Sequence, residues 1–289
     1  MLESGDTRAG IAALGAELCR WSVAGRDLLW SGDPRWWPRH SPVLFPVVGQ
    51  LHSGCARVAG VSHPMPRHGF AATQPFELRE HAPDRAALVL HSNAVTRAAY
   101  PFEFELRVEY RAVPDGIDAA FTVHNAGDAP MPYAIGWHPG FRWPFSQALA
   151  RGHAIEFEQQ ESPWVPVIVH DGLFSAARRP VPLQGRRLPL QPALFDNEAL
   201  CFLNARSRAL RFGSPDNAAI AVRAQHFAHW ALWCPPGAPL LCIEAWTGHG
   251  DAPDFDGELA ERPSMRRLQP GQTGSHRVEL RFEPAEHAP

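Results

Sequence analysis

A strict alternation of apolar and charged side chains at residues 102–110 constrains the fold more than any other stretch of the sequence. The run reads Phe-Glu-Phe-Glu-Leu-Arg-Val-Glu-Tyr. Successive side chains of a β-strand point to opposite faces of a sheet, so this period of two is typical of an antiparallel strand with one buried and one solvated face. Shorter alternating runs at residues 117–124 and 277–282 repeat the pattern. The sequence therefore predicts an extended antiparallel sheet.

The segments between the predicted strands carry turn residues and show almost no helical periodicity. Residues 113–116 (Val-Pro-Asp-Gly) and 125–128 (Asn-Ala-Gly-Asp) are examples. Spaced strands with such turns predict an all-β fold, a large antiparallel β-sandwich. No shift in composition marks a boundary, so we expect a single domain over residues 1–289. Residues 162–192 are Pro- and Arg-rich with few regular patterns, and apolar residues such as Trp164 and Val165 predict a long excursion, not a linker.

Composition excludes several classes of function. None of the 27 basic residues is a lysine, which excludes Schiff-base chemistry and the lysine of a phosphate-binding loop. The net charge of -3 and the lack of a basic run argue against nucleic acid and anionic membranes as partners. No apolar run approaches the roughly 20 residues of a membrane-spanning helix. The five cysteines form no C-x-x-C pair, and the start has no apolar signal segment, so we expect a reducing, cytoplasmic location.

Three titratable residues lie beside glycine, proline or aromatic neighbours, namely His68, His138 and Glu244. Glu244 belongs to Leu241–Gly248, a mostly apolar run that predicts a buried strand. A carboxylate in such a run is costly unless it is paired or used. Because lysine is absent, acid–base chemistry must depend on groups of this kind. Aromatic neighbours suit the C–H faces of sugars, although a structural role in core or loop remains the alternative for each residue.

These residues lie in segments that resemble the aldose 1-epimerase (galactose mutarotase) family, in its aldose-1-epimerase-like branch. The most specific matches are His-Pro-Gly-Phe at 138–141 and Ile-Glu-Ala-Trp at 243–246. Other matching pieces follow in family order at residues 15–18, 27–30, 42–49, 68–71, 100–102, 233 and 268–272. The resemblance implies the galactose mutarotase-like supersandwich fold. It also implies an isomerase that interconverts the α and β anomers of a hexose by acid–base ring opening, without cofactor or metal.

The resemblance assigns the two catalytic roles by position. Glu244 stands at the position of the catalytic base, and His138 at that of the catalytic acid. The implied partner is a small-molecule sugar, with no nucleic acid and no membrane. The oligomeric state stays open.

The resemblance also implies four substrate-binding residues: His68, Gln50, Glu198 and Trp233. Gln50 departs from the family, where an arginine often follows Val-Gly, and glutamine offers neither charge nor a bidentate fork. Glu198 stands near the place of a substrate-binding aspartate, with Asp196 as the alternative. These departures leave the identity of the sugar open.

The sequence leaves three other functions open. A hexose-6-phosphate 1-epimerase would use Arg67 or Arg142 to bind the phosphate. A non-catalytic carbohydrate-binding protein would keep the aromatic surface and dispense with the acid–base pair. A metal-dependent enzyme would recruit His63 together with the three titratable residues above, although their spacing matches no recognised ligand motif.

Overall fold

The computed structural model describes residues 1–145 and 152–285. Within these residues the chain consists mainly of strands and loops, with one short α-helix, α1 (Ala94–Ala99). Short 3₁₀ turns occur at His52–Gly54, Ala71–Thr73, His170–Gly172, Pro192–Phe195 and Leu259–Glu261. None of the helices in this part of the chain is long and apolar enough to cross a membrane.

The strands of the described residues are short, and most are joined by tight turns or compact loops. In chain order they are β1 (Leu2–Ser4), β2 (Thr7–Ile11), β3 (Leu18–Val23), β4 (Arg26–Asp27), β5 (Val43–Leu44), β6 (Cys55–Val58), β7 (Val61–Pro64), β8 (Glu77–Ala82), β9 (Arg85–His91), β10 (Phe104–Val113), β11 (Gly116–Asn125), β12 (Met131–Tyr133), β13 (Gly136–Trp137), β14 (Gly140–Arg142), β15 (Ala154–Phe157), β16 (Trp164–Val169), β17 (Leu173–Pro180), β18 (Arg187–Pro189), β19 (Leu200–Phe202), β20 (Ala209–Gly213), β21 (Ala219–Gln225), β22 (His229–Trp233), β23 (Leu240–Trp246), β24 (Arg266–Leu268) and β25 (Thr273–Glu283).

Two large antiparallel sheets form the sandwich. One has nine strands in the order β18-β15-β20-β21-β25-β11-β10-β9-β8, and the other has six, in the order β19-β22-β23-β13-β5 with β14 also paired to β23. The ring of Trp137 on β13 lies 5.8 Å from that of Phe121 on β11 and 6.2 Å from that of Tyr110 on β10. The two sheets therefore face each other across an aromatic core, and the predicted antiparallel β-sandwich is confirmed.

Strand β10 follows the alternation that the sequence predicts. Phe104, Leu106 and Val108 are buried, while the charged residues between them are half-exposed. The register pairs Leu106 with Val123 and Val108 with Phe121 on β11, so large apolar side chains stand side by side on the inner face. Each such side chain contributes about 1.5–3 kcal/mol when it is fully buried. A slip of one residue would move the whole set to solvent, and this fixes the register.

Strand β23 differs from β10 because all seven of its residues are buried. It lies between β22 on one side and β13 and β14 on the other, and a near-continuous apolar run is typical of a strand covered on both faces. Strand β5 lies at the edge of this sheet. Pro42 and Pro46 flank it, and an edge is where proline removes no hydrogen bond from the sheet.

The excursion over residues 162–192 contains a regular element that its sequence pattern does not show. Strands β16 and β17 pair as an antiparallel hairpin outside the two large sheets, with a register shift between Pro166 and Ile168. Each strand of a two-stranded ribbon has one open edge, where a proline costs no ladder hydrogen bond. The prolines therefore disguise a regular element in the sequence.

Candidate active site

Glu244 reaches the site from the buried centre of β23. Its side chain is 2% exposed, and it shares one face of the strand with Trp246, two residues on. The indole Nε1–H of Trp246 donates a hydrogen bond of 2.9 Å to Glu244 Oε2. The strand thus delivers a carboxylate and holds one of its oxygens in place.

His138 lies next to Glu244 because of the register between β13 and β23. Gly136 pairs with Trp246 and Trp137 with Ala245, so the residue after β13 comes opposite Glu244. The distance from His138 Nε2 to Glu244 Oε2 is 3.2 Å. Nδ1 of His138 is buried and has no hydrogen-bond partner within the described residues. Two residues 106 positions apart in the chain are therefore in direct contact.

The surroundings of this pair disfavour charge on both members. Burial raises the pKa of Glu244 well above its usual value, and the indole hydrogen bond opposes part of the rise. Burial also lowers the pKa of His138 well below its usual value, with His68 as the next cause. Both shifts favour a neutral pair that holds a single proton on the carboxyl group. One acid and one base are thus present together, which is what a proton-shuttling site requires.

His68 lies at the edge of this pair, with its ring centroid 5.9 Å from that of His138. The backbone N–H of Gly49 donates to His68 Nδ1 at 3.1 Å, so Nδ1 is the acceptor and Nε2 carries the hydrogen. Burial, followed by the charge of Arg67, lowers the pKa of His68 to about 3. His68 is thus a neutral hydrogen-bond donor.

Gln50 and Arg67 form one polar unit. Arg67 Nε donates to Gln50 Oε1 at 3.3 Å, and Arg67 Nη2 donates to the carbonyl of Asp171 at 2.7 Å. The guanidinium therefore connects position 50 to the tip of the β16–β17 hairpin. Arg142, the other arginine expected near a phosphate, does not line the cavity and lies 4.0 Å from Asp27.

These groups line one cavity of about 450 Å³. Every catalytic and substrate-binding residue expected from the sequence contributes to its wall: Glu244, His138, His68, Gln50, Glu198 and Trp233. Asp196 lines it as well, so both candidate carboxylates of that loop face the same space. Arg179 of β17 donates to the carbonyls of Asn197 and Glu198 at 3.1 and 3.2 Å, which anchors this loop to the hairpin.

The donor set expected for a metal does not assemble. His63 does not line the cavity, and its Nδ1 lies 2.9 Å from the carbonyl oxygen of Ala98. Within residues 1–145 and 152–285 no three histidine, cysteine or acidic side chains are grouped so that they could hold a metal ion.

Comparison with known proteins identifies the family. A family model described as Aldose 1-epimerase matches residues 1–280. The chain belongs to the aldose 1-epimerase family. Among curated proteins it is similar to the plasmid form of protein LacX from Lactococcus lactis subsp. lactis, at 27% identity over 267 residues and 89% of each chain.

Solved structures agree with the family assignment. A galactose mutarotase-like protein from Lactobacillus casei is 26% identical and superposes with a TM-score of 0.91 over 98% of this chain and 99% of its own. A galactose mutarotase related enzyme from Lactobacillus acidophilus is 25% identical, with a TM-score of 0.92 over 99% of this chain and 97% of its own. The mutarotase-like supersandwich is thus shown for this member of the aldose 1-epimerase family.

The aromatic residues Trp37, Phe174 and Phe195 line this epimerase-family cavity, and the sequence did not predict them as site residues. Trp37 stacks on His138 with ring centroids 4.9 Å apart and planes 26° apart, and Phe174 of β17 forms part of the wall. The dense aromatic and proline content of residues 32–38 was a usable signal for Trp37. Phe174 had no such signal, because its place depends on the hairpin that the prolines disguised.

Proposed function

We propose that this protein is an aldose 1-epimerase that interconverts the α and β anomers of a free hexose. The observation that carries the proposal is the contact between Glu244 and His138, 3.2 Å apart at the wall of a cavity of sugar size. Anomer exchange requires that a proton leave the anomeric hydroxyl while another reaches the ring oxygen. Both oxygens are bonded to the same carbon, so two neighbouring side chains can serve both.

In the proposed reaction Glu244 accepts the proton of the anomeric hydroxyl, and His138 gives a proton to the ring oxygen. The ring opens to an aldehyde, the C1–C2 bond rotates, and closure with the reverse transfers yields the other anomer. Ring opening starts from the form of the pair in which its single proton has passed from Glu244 to His138, and it leaves carboxylic acid and neutral imidazole. Burial favours the neutral arrangement, so the cavity assists the transfer that opens the ring. Each positioned acid or base contributes roughly 10²–10⁴-fold.

The other residues of the wall support binding of a sugar. Both described contacts to Glu244 engage Oε2, which leaves Oε1 for a hydroxyl of the ligand. His68 offers an Nε2–H donor, and Trp233 and Trp37 offer apolar faces to C–H groups. A mostly apolar wall with few directed polar groups is typical of a small-molecule site.

The charges of the wall favour an unphosphorylated sugar. Arg67 is the one cationic side chain among the lining residues, and two of its five N–H groups engage Gln50 and the carbonyl of Asp171. Asp196 and Glu198 line the same cavity and would repel a phosphate dianion. Carboxylates instead accept hydrogen bonds from hydroxyl groups.

Exchange spectroscopy by NMR tests the proposal. The rate of α to β exchange is measured for glucose, galactose and glucose 6-phosphate with the native protein, with Glu244→Gln and with Glu105→Gln. Glu105 is half-exposed on β10 and is not among the cavity-lining residues. We expect accelerated exchange of a free hexose that Glu244→Gln abolishes and Glu105→Gln retains. Full activity of Glu244→Gln would refute the roles, and faster exchange of glucose 6-phosphate than of any free hexose would refute the substrate class.

A further inference from the structure

A second concavity, of about 720 Å³, lies around β24 and the start of β25. We call it the arginine concavity, and its polar wall consists of Tyr133, Arg208, His226, Arg266, Arg267, Ser275 and His276. None of its lining residues belongs to the substrate cavity. Three arginines line it, and no carboxylate does among the described residues. The wall of the substrate cavity, by contrast, has one arginine and three carboxylates.

Two of these arginines have no ion-pair partner among the residues that the structure describes. No ion pair or hydrogen bond within residues 1–145 and 152–285 engages the side chain of Arg266 or Arg267. On the neighbouring strand β25, by contrast, Arg277 and Arg281 both pair with Asp118, at 2.9 and 2.6 Å. Both residues line the concavity, and an unpaired cation beside a wall without carboxylates attracts an anion.

The base of the arginine concavity is a chain of neutral hydrogen-bonding groups. His276 Nδ1 lies 3.0 Å from the carbonyl of His226, and because a carbonyl only accepts, this nitrogen carries the hydrogen. His276 Nε2 therefore accepts the hydroxyl hydrogen of Tyr133, at 2.9 Å. Burial lowers the pKa of His276 to about 4, so the imidazole stays neutral. A Cβ at Gly274 would come within 2.1 Å of the Tyr133 oxygen, which explains the glycine there.

Arg266 and Arg208 place positive charge next to these neutral groups. Arg266 pairs with Tyr133 in the register of β24 and β12, and its charge opposes the rise that burial imposes on the pKa of Tyr133. Arg208 uses one N–H to hold the carbonyl of Phe227 at 2.7 Å. Since a guanidinium has five N–H donors, the others stay free for a ligand.

We propose that the arginine concavity is a binding site for the phosphate group of a small molecule. Guanidinium groups bind phosphate oxygens through parallel hydrogen bonds, with a geometry that a lysine cannot match. A phosphate dianion offers enough acceptor oxygens for several guanidinium groups, whereas a single carboxylate offers two. No acidic side chain of the described wall competes for the arginines. This inference does not depend on the epimerase reaction.

Isothermal titration calorimetry with sodium phosphate, at an ionic strength held constant with chloride, tests the proposal. The double variant Arg266→Gln with Arg267→Gln is compared with Arg20→Gln, which removes an exposed charge near Asp27 on another sheet. We expect saturable binding to the native protein and to Arg20→Gln. The double variant should bind at least about tenfold more weakly, since hydrogen bonds to charged groups are the strong ones. The double variant Arg266→Lys with Arg267→Lys keeps both charges but loses the paired N–H groups of the guanidinium. It should bind phosphate with intermediate affinity.

A second pair of measurements locates the bound phosphate. Arg67→Gln removes the cation of the substrate cavity and should leave phosphate affinity unchanged, and glucose 6-phosphate should bind the arginine concavity about as tightly as inorganic phosphate. Thermal unfolding confirms that each variant is folded. The proposal is wrong if native protein shows no saturable phosphate binding, or if Arg67→Gln loses it while the double variant keeps it.

Discussion

Two buried pairs, one of arginine with aspartate and one of histidine with glutamate, differ in how completely their hydrogen bonds are satisfied. Arg262 and Asp251 are each 2% exposed in their side chains, with Arg262 Nε 2.5 Å from Asp251 Oδ1. Arg262 also donates to the carbonyl of His249 at 2.9 Å, and Asp251 Oδ2 accepts from the backbone of His52 at 2.9 Å. This pair uses both carboxylate oxygens.

The pair of Glu244 and His138 is also buried, but it is incomplete. Its contacts converge on one carboxylate oxygen, and Nδ1 of His138 is left without a partner among the described residues. Buried polar groups are normally hydrogen-bonded, and a half-satisfied network is costly. We infer that the saturated pair holds the loops behind the cavity in place, and that the incomplete pair is kept because a ligand completes it.

The comparison is tested most strongly by removing the incomplete pair one member at a time. Glu244→Gln and His138→Asn should each lower kcat/KM for anomer exchange by roughly 10²–10⁴-fold. The double variant should lose little more than either single variant, because an acid without its base has nothing to exchange. The measurement is the decay of optical rotation of a freshly dissolved hexose. Additive losses in the double variant would show that the two groups act independently.

The saturated pair should respond in stability. Arg262→Met leaves the Asp251 charge buried without its partner, and it should lower the free energy of unfolding by about 3–5 kcal/mol. Glu244→Gln should change it by less than about 1 kcal/mol or raise it, as is common where a site trades stability for function. Urea unfolding measures both, with Arg20→Met as the control for an exposed arginine. A large loss of unfolding free energy in Glu244→Gln would show that the incomplete pair also stabilises the fold.

The pH dependence of exchange distinguishes control by the buried pair from control by a solvated imidazole. A second proton on the incomplete pair would create a buried cation, which burial opposes by lowering the pKa of His138 below the usual 6.5. Activity should therefore stay level as pH falls through 6.5 and decline only at lower pH, when the base is lost. His68, with a pKa of about 3, adds no step in that range. A decline of kcat/KM centred near pH 6.5 would show that a solvated imidazole controls the rate.

Some of this organisation is readable from the sequence because it is local. The alternation of β10 and the apolar run of β23 each predict a strand and its burial from neighbouring residues. The contact of His138 with Glu244 depends on the pairing of β13 with β23, which no local pattern encodes, and it was reached through a family resemblance. The β16–β17 hairpin was missed because a two-stranded ribbon tolerates prolines that a central strand would not.

Replacement of Trp37 should have the smallest effect on kcat/KM. It tests whether the ring that stacks on His138 contributes to catalysis by the incomplete pair. Its ring stacks on His138 at 4.9 Å and lines the cavity, whereas the neighbouring Trp36 is 40% exposed and lies outside the lining. An aromatic contact contributes about 0.5–1.5 kcal/mol beyond its buried area. Trp37→Leu should therefore lower kcat/KM by about fivefold, and Trp36→Leu should leave it unchanged. Equal losses in both variants would mean that the loop acts through its fold, and that the stacked ring does not itself hold the imidazole.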